Sequence, residues 1–204
     1  MPGIKRIAGR AVALDRRDVD TDQIISASWL KRVERTGFAA GLFAAWRADP
    51  GFPLNRPGAS AAKILVAGSN FGCGSSREHA VWALQEFGFQ AVVAPGFGDI
   101  FRSNAVAAGL VPARVTEEAA ARLFAALAAD PEAEVAVDVA ARSVAIGSAG
   151  LSEPFELADY ARWRLLEGLD DIALTMRHEQ EIAAFEASRP AWLPSLPRQA
   201  RDVC

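Results

Sequence analysis

Between Ala62 and Ala94 the order of residue types leaves few folds open. An unbroken apolar run, Ile64-Leu65-Val66-Ala67, leads into a glycine-rich turn, Gly68-Ser69-Asn70-Phe71-Gly72-Cys73-Gly74. An amphipathic stretch then runs to Phe87, stops at Gly88, and gives way to a second apolar run, Gln90 to Ala94. Apolar runs of this length between glycines suit strands buried on both faces, as in parallel sheets. The stretch between them is long enough for the crossover helix that parallel pairing requires. We expect that helix to begin at Ser75 or Ser76. A second unit of the same kind follows, running from Gly98 through Asn104 into a short helix and then a strand from Leu110 to Val115. The chain reads as α/β.

Outside this block, Gly9 to Leu14 reads as a strand, followed by a polar, acidic turn over Asp15–Asp22. Gly37 to Arg47 reads as a helix with Phe38, Leu42, Phe43 and Trp46 on one face. Pro50, Gly51, Pro53, Pro57 and Gly58 mark residues 48–62 as an irregular loop. Thr116 should cap a helix reaching Ala129, with Glu117 and Glu118 at its positive end. Residues 134–138 and 142–146 alternate like a hairpin, and 158–187 read as helices broken near Gly168-Leu169-Asp170-Asp171. We expect one domain over 1–188 and a mobile tail over 189–204.

Of the 204 residues, 51% are apolar, enough for a sizeable core, and the net charge of −3 argues against a general nucleic-acid binder. No apolar run approaches the roughly 20 residues of a membrane span. Charge follows Met1 at once, with no signal-peptide core behind it, so a cytoplasmic protein is expected. Two cysteines, Cys73 and Cys204, and two histidines, His79 and His178, are too few for an iron–sulfur or recognisable zinc site. Any metal in the chemistry must sit on another chain.

Function is to be sought in Gly72-Cys73-Gly74-Ser75-Ser76-Arg77-Glu78-His79. The glycines permit close approach of a ligand, and the helix behind them directs unpaired N–H groups toward the loop. Arg77 adds a forked donor suited to a carboxylate. Taken alone, Ser75-x-x-Glu78 reads first as a capping box that merely starts a helix, since such boxes are common. A P-loop lysine and the third glycine of a dinucleotide fingerprint are both missing.

Asn70-Phe71-Gly72-Cys73-Gly74-Ser75-Ser76-Arg77-Glu78-His79-Ala80 resembles the signature of the swivelling domain of the aconitase superfamily, in its isopropylmalate-isomerase small-subunit form. Asp18-Val19-Asp20-Thr21-Asp22-Gln23-Ile24-Ile25 resembles that family's other hallmark. Gly98–Asn104, Gly109–Pro112 and Gly168–Thr175 are similar too, in the right order. The resemblance implies a swivelling β/β/α domain, a small mixed sheet or barrel flanked by helices with a helical C-terminal extension. It implies a hydro-lyase whose [4Fe–4S] cluster lies on a large partner subunit and binds an alkylmalate substrate. It carries proton abstraction to Ser75, and substrate carboxylate binding to Ser76, Arg77 and the open backbone at Gly74. It places Lys31 and Arg32 in a loop that reaches the substrate, one of them contacting a carboxylate.

Asp20, Thr21 and Asp22 are either groups that orient the site or a plain turn starting the next element. Cys73 and His79 read as packing residues, His79 with a supporting role behind the site, and His178 as exposed. Asp99, Arg102 and Asn104 come near the site by analogy only. Ser69 and Val81 stand where the family often has glutamate and proline, and Ser26-Ala27-Ser28-Trp29 replaces a more usual Pro-Lys-Gln-Phe type of loop. These departures leave citramalate and dimethylmalate open beside isopropylmalate as substrates. A non-catalytic anion-binding module is the reading from another class, and Ser75→Ala separates it from the enzyme.

Overall fold

The apolar runs become the middle of a mixed sheet. In chain order the elements are β1 (Arg6–Leu14), α1 (Thr21–Ile24), α2 (Ala44–Arg47), β2 (Ile64–Ala67), α3 (Glu78–Phe87), β3 (Ala91–Ala94) and α4 (Asp99–Ala108). They continue with β4 (Val111–Arg114), α5 (Glu117–Ala129), β5 (Glu134–Asp138), β6 (Ser143–Ile146), β7 (Leu151–Pro154) and α6 (Asp159–Glu167). Then follow α7 (Asp171–Met176) and α8 (Glu179–Ala187). This computed structural model describes residues 1–31, 36–190 and 192. The chain divides into two units, Met1–Asp170 and Asp171–Cys204. The tail expected over 189–204 lies almost wholly outside the described residues.

The strand order is β4-β3-β2-β1-β5-β6-β7. β1 is the seam: Ala11–Leu14 pair parallel with β2, while Arg6–Arg10 pair antiparallel with β5. The parallel half continues through β3 to β4, and the antiparallel half through β6 to β7. The two outer ends then meet. Just past β7, the Glu156 N–H donates to the Arg114 carbonyl at 2.6 Å, so the sheet curls back on its own first edge.

Alternation along the parallel strands serves two cores. Leu14, Leu65, Ala67, Val92 and Ala94 face α3 and the aromatic side chains of Phe38, Phe43 and Phe52. Ile64, Val66, Ala91 and Val93 face the other way, with Val135, Val137, Val144 and Ile146, against Leu123 and Leu127 of α5. Each such buried Val, Leu or Ile side chain is worth about 1.5–3 kcal/mol. The Thr116 cap forms as expected, its Oγ1 accepting the Ala119 N–H at 3.1 Å.

Four expectations need correction. β1 starts at Arg6, three residues before Gly9. The single helix expected over 37–47 is a 3-10 turn over Phe38–Gly41 and the short α2, because buried Phe43 adopts φ 48°. Its N–H donates to the Ile24 carbonyl at 2.8 Å, and this long-range bond pulls it out of helical register. Residues 48–62 hold two 3-10 turns, Pro53–Asn55 and Ala59–Ala61. Finally, α3 begins at Glu78, two or three residues later than expected.

One ion pair of the antiparallel half gives a pH prediction. Glu153, nearly buried on edge strand β7, takes both Nε and Nη2 of Arg122, at 2.6 and 2.8 Å. The Arg122 hydrogen bonds hold its carboxyl below the usual glutamate range, against the opposing effect of burial. A carboxyl with a depressed folded pKa stabilises the fold fully above its unfolded value of about 4.3. That contribution fades as pH falls through the folded value. Glu153→Gln should therefore be less stable than wild type at pH 7, with the gap closing below about pH 4 in denaturation curves.

Candidate active site

The turn after β1 and the turn after β2 lock together, and this brings the two sequence hallmarks into one place. The Thr21 N–H donates to the Cys73 carbonyl at 2.9 Å, and the Gly72 N–H to the Val19 carbonyl at 2.8 Å. Asp18 and Asn70 both adopt left-handed backbone, φ 52° and 59°, and Asn70 Nδ2 donates to Asp18 Oδ1 at 2.8 Å. Sequence reasoning gave neither residue a part in the site. The available signal was that both are Asx residues, which tolerate that conformation.

Asp20, Thr21 and Asp22 each have a distinct place. Asp20 caps α1: its carboxylate accepts the Asp22 N–H at 2.6 Å, and the Gln23 side chain in return accepts the Asp20 N–H at 2.9 Å. This is the reciprocal box that Asp20-x-x-Gln23 encodes. The same carboxylate walls the loop, since a Cβ on Gly74 (φ 91°) would lie 2.3 Å from Asp20 Oδ2. Thr21, fully buried, donates from Oγ1 to the backbone carbonyl of Ser75 at 3.0 Å. Asp22 grips Arg77 with both oxygens, Nη2 to Oδ2 at 2.8 Å and Nη1 to Oδ1, while Nη1 also reaches the Ile25 carbonyl at 3.3 Å.

Ser75, Ser76 and Gly74 are exposed, whereas the Arg77 side chain is only 13% exposed. The capping-box reading of Ser75-x-x-Glu78 does not hold. Arg77 is the N-cap residue, extended at φ −135°, with no side-chain cap bond. Thr21 and Asp22 hold 75–77 in the loop, so the two hydroxyls stand ahead of the helix instead of inside its first turn. Behind the loop, a Cβ on Gly72 would strike the Phe101 ring at 2.3 Å, and one on Gly98 would strike the Gly72 carbonyl at 2.4 Å. Thr21→Val keeps the volume but deletes the bond to the Ser75 carbonyl. On the hydro-lyase role that the motifs imply, about a tenfold loss in kcat with KM nearly unchanged is expected, checked by steady-state kinetics with the large subunit.

The remaining candidates divide. Lys31 ends a 3-10 turn over Ala27–Lys31 and is exposed. Arg32 lies outside the described residues. Trp29 seats that turn, its indole so close to Gly41 that a Cβ there would fall 2.6 Å from it. His79 packs among aromatic rings, 5.3 Å from Phe38 and 4.6 Å from Trp82 between centroids. Burial, then the charges of Asp20 and Asp18, push the Cys73 thiol up from its ordinary value, which disfavours the reactive thiolate. On α4, Asp99 and Arg102 are exposed and paired at 3.5 Å. Asn104 Nδ2 is buried without a partner among the described residues. His178 is exposed beside Glu181. Among the described residues no three His, Cys, Asp or Glu side chains converge as metal ligands.

Comparison with known proteins agrees with both hallmarks. The family model described as aconitase C-terminal domain matches residues 1–118, and the model for the C-terminal domain of the 3-isopropylmalate dehydratase small subunit matches 171–199. The 3-isopropylmalate dehydratase small subunit of Frankia alni is 62% identical over 187 residues, covering 92% of this chain and 95% of its own. That of Rubrobacter xylanophilus is 50% identical over 194 residues, covering 95% and 98%. A crystal structure of 3-isopropylmalate dehydratase from Methanocaldococcus jannaschii superposes with a TM-score of 0.66 at 27% identity, covering 88% of this chain and 99% of that one. The curled mixed sheet with flanking helices is thus the swivelling-domain fold that the motifs implied. With both hallmarks meeting at Ser75 and the relatives matching almost end to end, the chain belongs to the 3-isopropylmalate dehydratase small-subunit family of the aconitase superfamily.

Proposed function

We propose that this chain is the small subunit of a cytoplasmic 3-isopropylmalate dehydratase. With a large partner subunit it interconverts 2- and 3-isopropylmalate by dehydration and rehydration in leucine biosynthesis. The observation that carries the reading is the exposed Ser75, tied through its own carbonyl to Thr21 and flanked by the Asp22–Arg77 pair. Two cysteines are too few to cage an iron–sulfur cluster, so the cluster belongs to the partner, where it would supply Lewis-acid chemistry at the substrate hydroxyl.

Ser75 removes the proton from the carbon next to the hydroxyl-bearing one, and Ser76 and Arg77 bind a substrate carboxylate. Three donor contacts of Arg77 serve Asp22 and Ile25, and a guanidinium has five N–H donors. Donors therefore remain for the substrate. A serine is a weaker acid than tyrosine, whose pKa is about 10. A helix N-terminus stabilises an anion by at most ~2 kcal/mol, roughly one and a half pKa units, and its effect fades beyond the first turn. With α3 starting at Glu78, the helix supplies less than that at Ser75. Arg77, backbone donors and exclusion of water by the partner must do the rest. The isolated chain, with Ser75 open to solvent, is inactive on this reading.

The Trp29 loop, unlike the family's common form, favours a second reading, a hydro-lyase of the same mechanism acting on citramalate or dimethylmalate. Anaerobic co-purification with the large subunit tests both, following formation of the unsaturated diacid. Turnover of isopropylmalate is the expected result, and preference for another malate moves the assignment to the second reading. A stable complex that turns over none of them would leave the non-catalytic anion-binding module.

A further inference from the structure

Where the curled sheet meets its own edge, α4, β4, residues 155–158 and α6 line an open cleft of about 660 Å³, within the size range of small-molecule sites. Four arginines line it, Arg102, Arg114, Arg142 and Arg164, against two acids, Asp99 and Glu156. The facing ion pairs are largely solvent-exposed: Arg114 to Glu156 at 3.2 Å, Arg102 to Asp99 at 3.5 Å, and Arg142 to Asp159. Each is therefore weak and uses few of the five donors a guanidinium carries. Arg142 also has a buried Nε without a partner among the described residues. Between the charges the wall is mostly apolar, with Val106, Pro112, Phe155 and Leu157 beside the hydroxyl-bearing Ser103 and Tyr160.

We propose that this cleft is a second binding site, separate from the Ser75 loop, for an aliphatic carboxylate. The forked arginines match the planar carboxylate, and the aliphatic and aromatic wall takes its hydrocarbon body. The site needs neither the large subunit nor the catalytic serine.

The full chain titrated calorimetrically with 4-methylpentanoate, and in parallel with 4-methylpentan-1-ol, tests the proposal. Saturable binding of the acid with a Kd of about 1 mM or below, and none of the alcohol, is the expected result. Arg114→Gln and Arg102→Gln should each weaken it at least about tenfold, while Arg77→Ala leaves it unchanged. Arg102 lies on the exposed face of α4, so its variant keeps the test decisive if Arg114→Gln fails to fold. Absence of saturation, or binding lost with Arg77→Ala and kept in both cleft variants, overturns the second site. Neither outcome touches the assignment of Ser75, which rests on turnover by the assembled enzyme.

Discussion

Replacing Ser75 by alanine should cut turnover of the assembled enzyme by about 10²–10⁴-fold while KM and subunit assembly stay near wild type. The substitution removes one exposed hydroxyl and nothing that holds the loop. The Thr21 contact is made to the Ser75 backbone carbonyl, and Arg77 keeps Asp22. A loss confined to kcat is what removal of the proton acceptor predicts. A variant that retains more than about a tenth of wild-type kcat would show that the base lies elsewhere, with water or the partner subunit.

The second large effect belongs to the pair behind the serine. Arg77→Lys should lower kcat/KM by about a hundredfold, because an ammonium on a flexible stem cannot hold both oxygens of Asp22 and a substrate carboxylate together. Asp22→Asn weakens the same grip from the other side, leaving a mostly buried guanidinium less well oriented. Since both changes act on one contact, the double variant should be hardly worse than Arg77→Lys alone. Strict additivity in the kinetic double-mutant cycle would mean that Asp22 serves catalysis by some route other than Arg77.

Much of this arrangement was legible before any coordinates, and the reasons are local. Ile64-Leu65-Val66-Ala67 and Ala91-Val92-Val93-Ala94 are buried on both faces, and only such strands read as unbroken apolar runs. The Thr116 cap and the glycine stops at Gly88 and Gly168 are short-range signals, and all of them hold. What was misread depends on bonds between distant residues. Ser75-x-x-Glu78 has the sequence of a capping box, yet Thr21, 54 positions away, claims the Ser75 carbonyl. Phe43 leaves its helix to bond Ile24. β7 was not foreseen, since Leu151-Ser152-Glu153-Pro154 carries a glutamate and a proline. Both are tolerated because it is an edge strand, and its glutamate finds Arg122 on α5. At the site, the motifs pointed to these residues as candidates, whereas the Asp22–Arg77 grip is visible only in three dimensions.

The place of β1 in the sheet also bears on how the chain can be made. Among the seven strands the central one is synthesised first, and its two neighbours begin only at Ile64 and Glu134. At roughly 5–20 residues per second, β1 waits on the order of ten seconds before its antiparallel side is covered. Pairing across such sequence distance is slow, and until then the Arg6–Arg10 edge bearing Ile7 stands open to strands of other nascent chains. The family match that ends at residue 118 is therefore not a folding boundary. A fragment cut there would keep the whole Ser75 loop, lose the partner of its central strand, and self-associate.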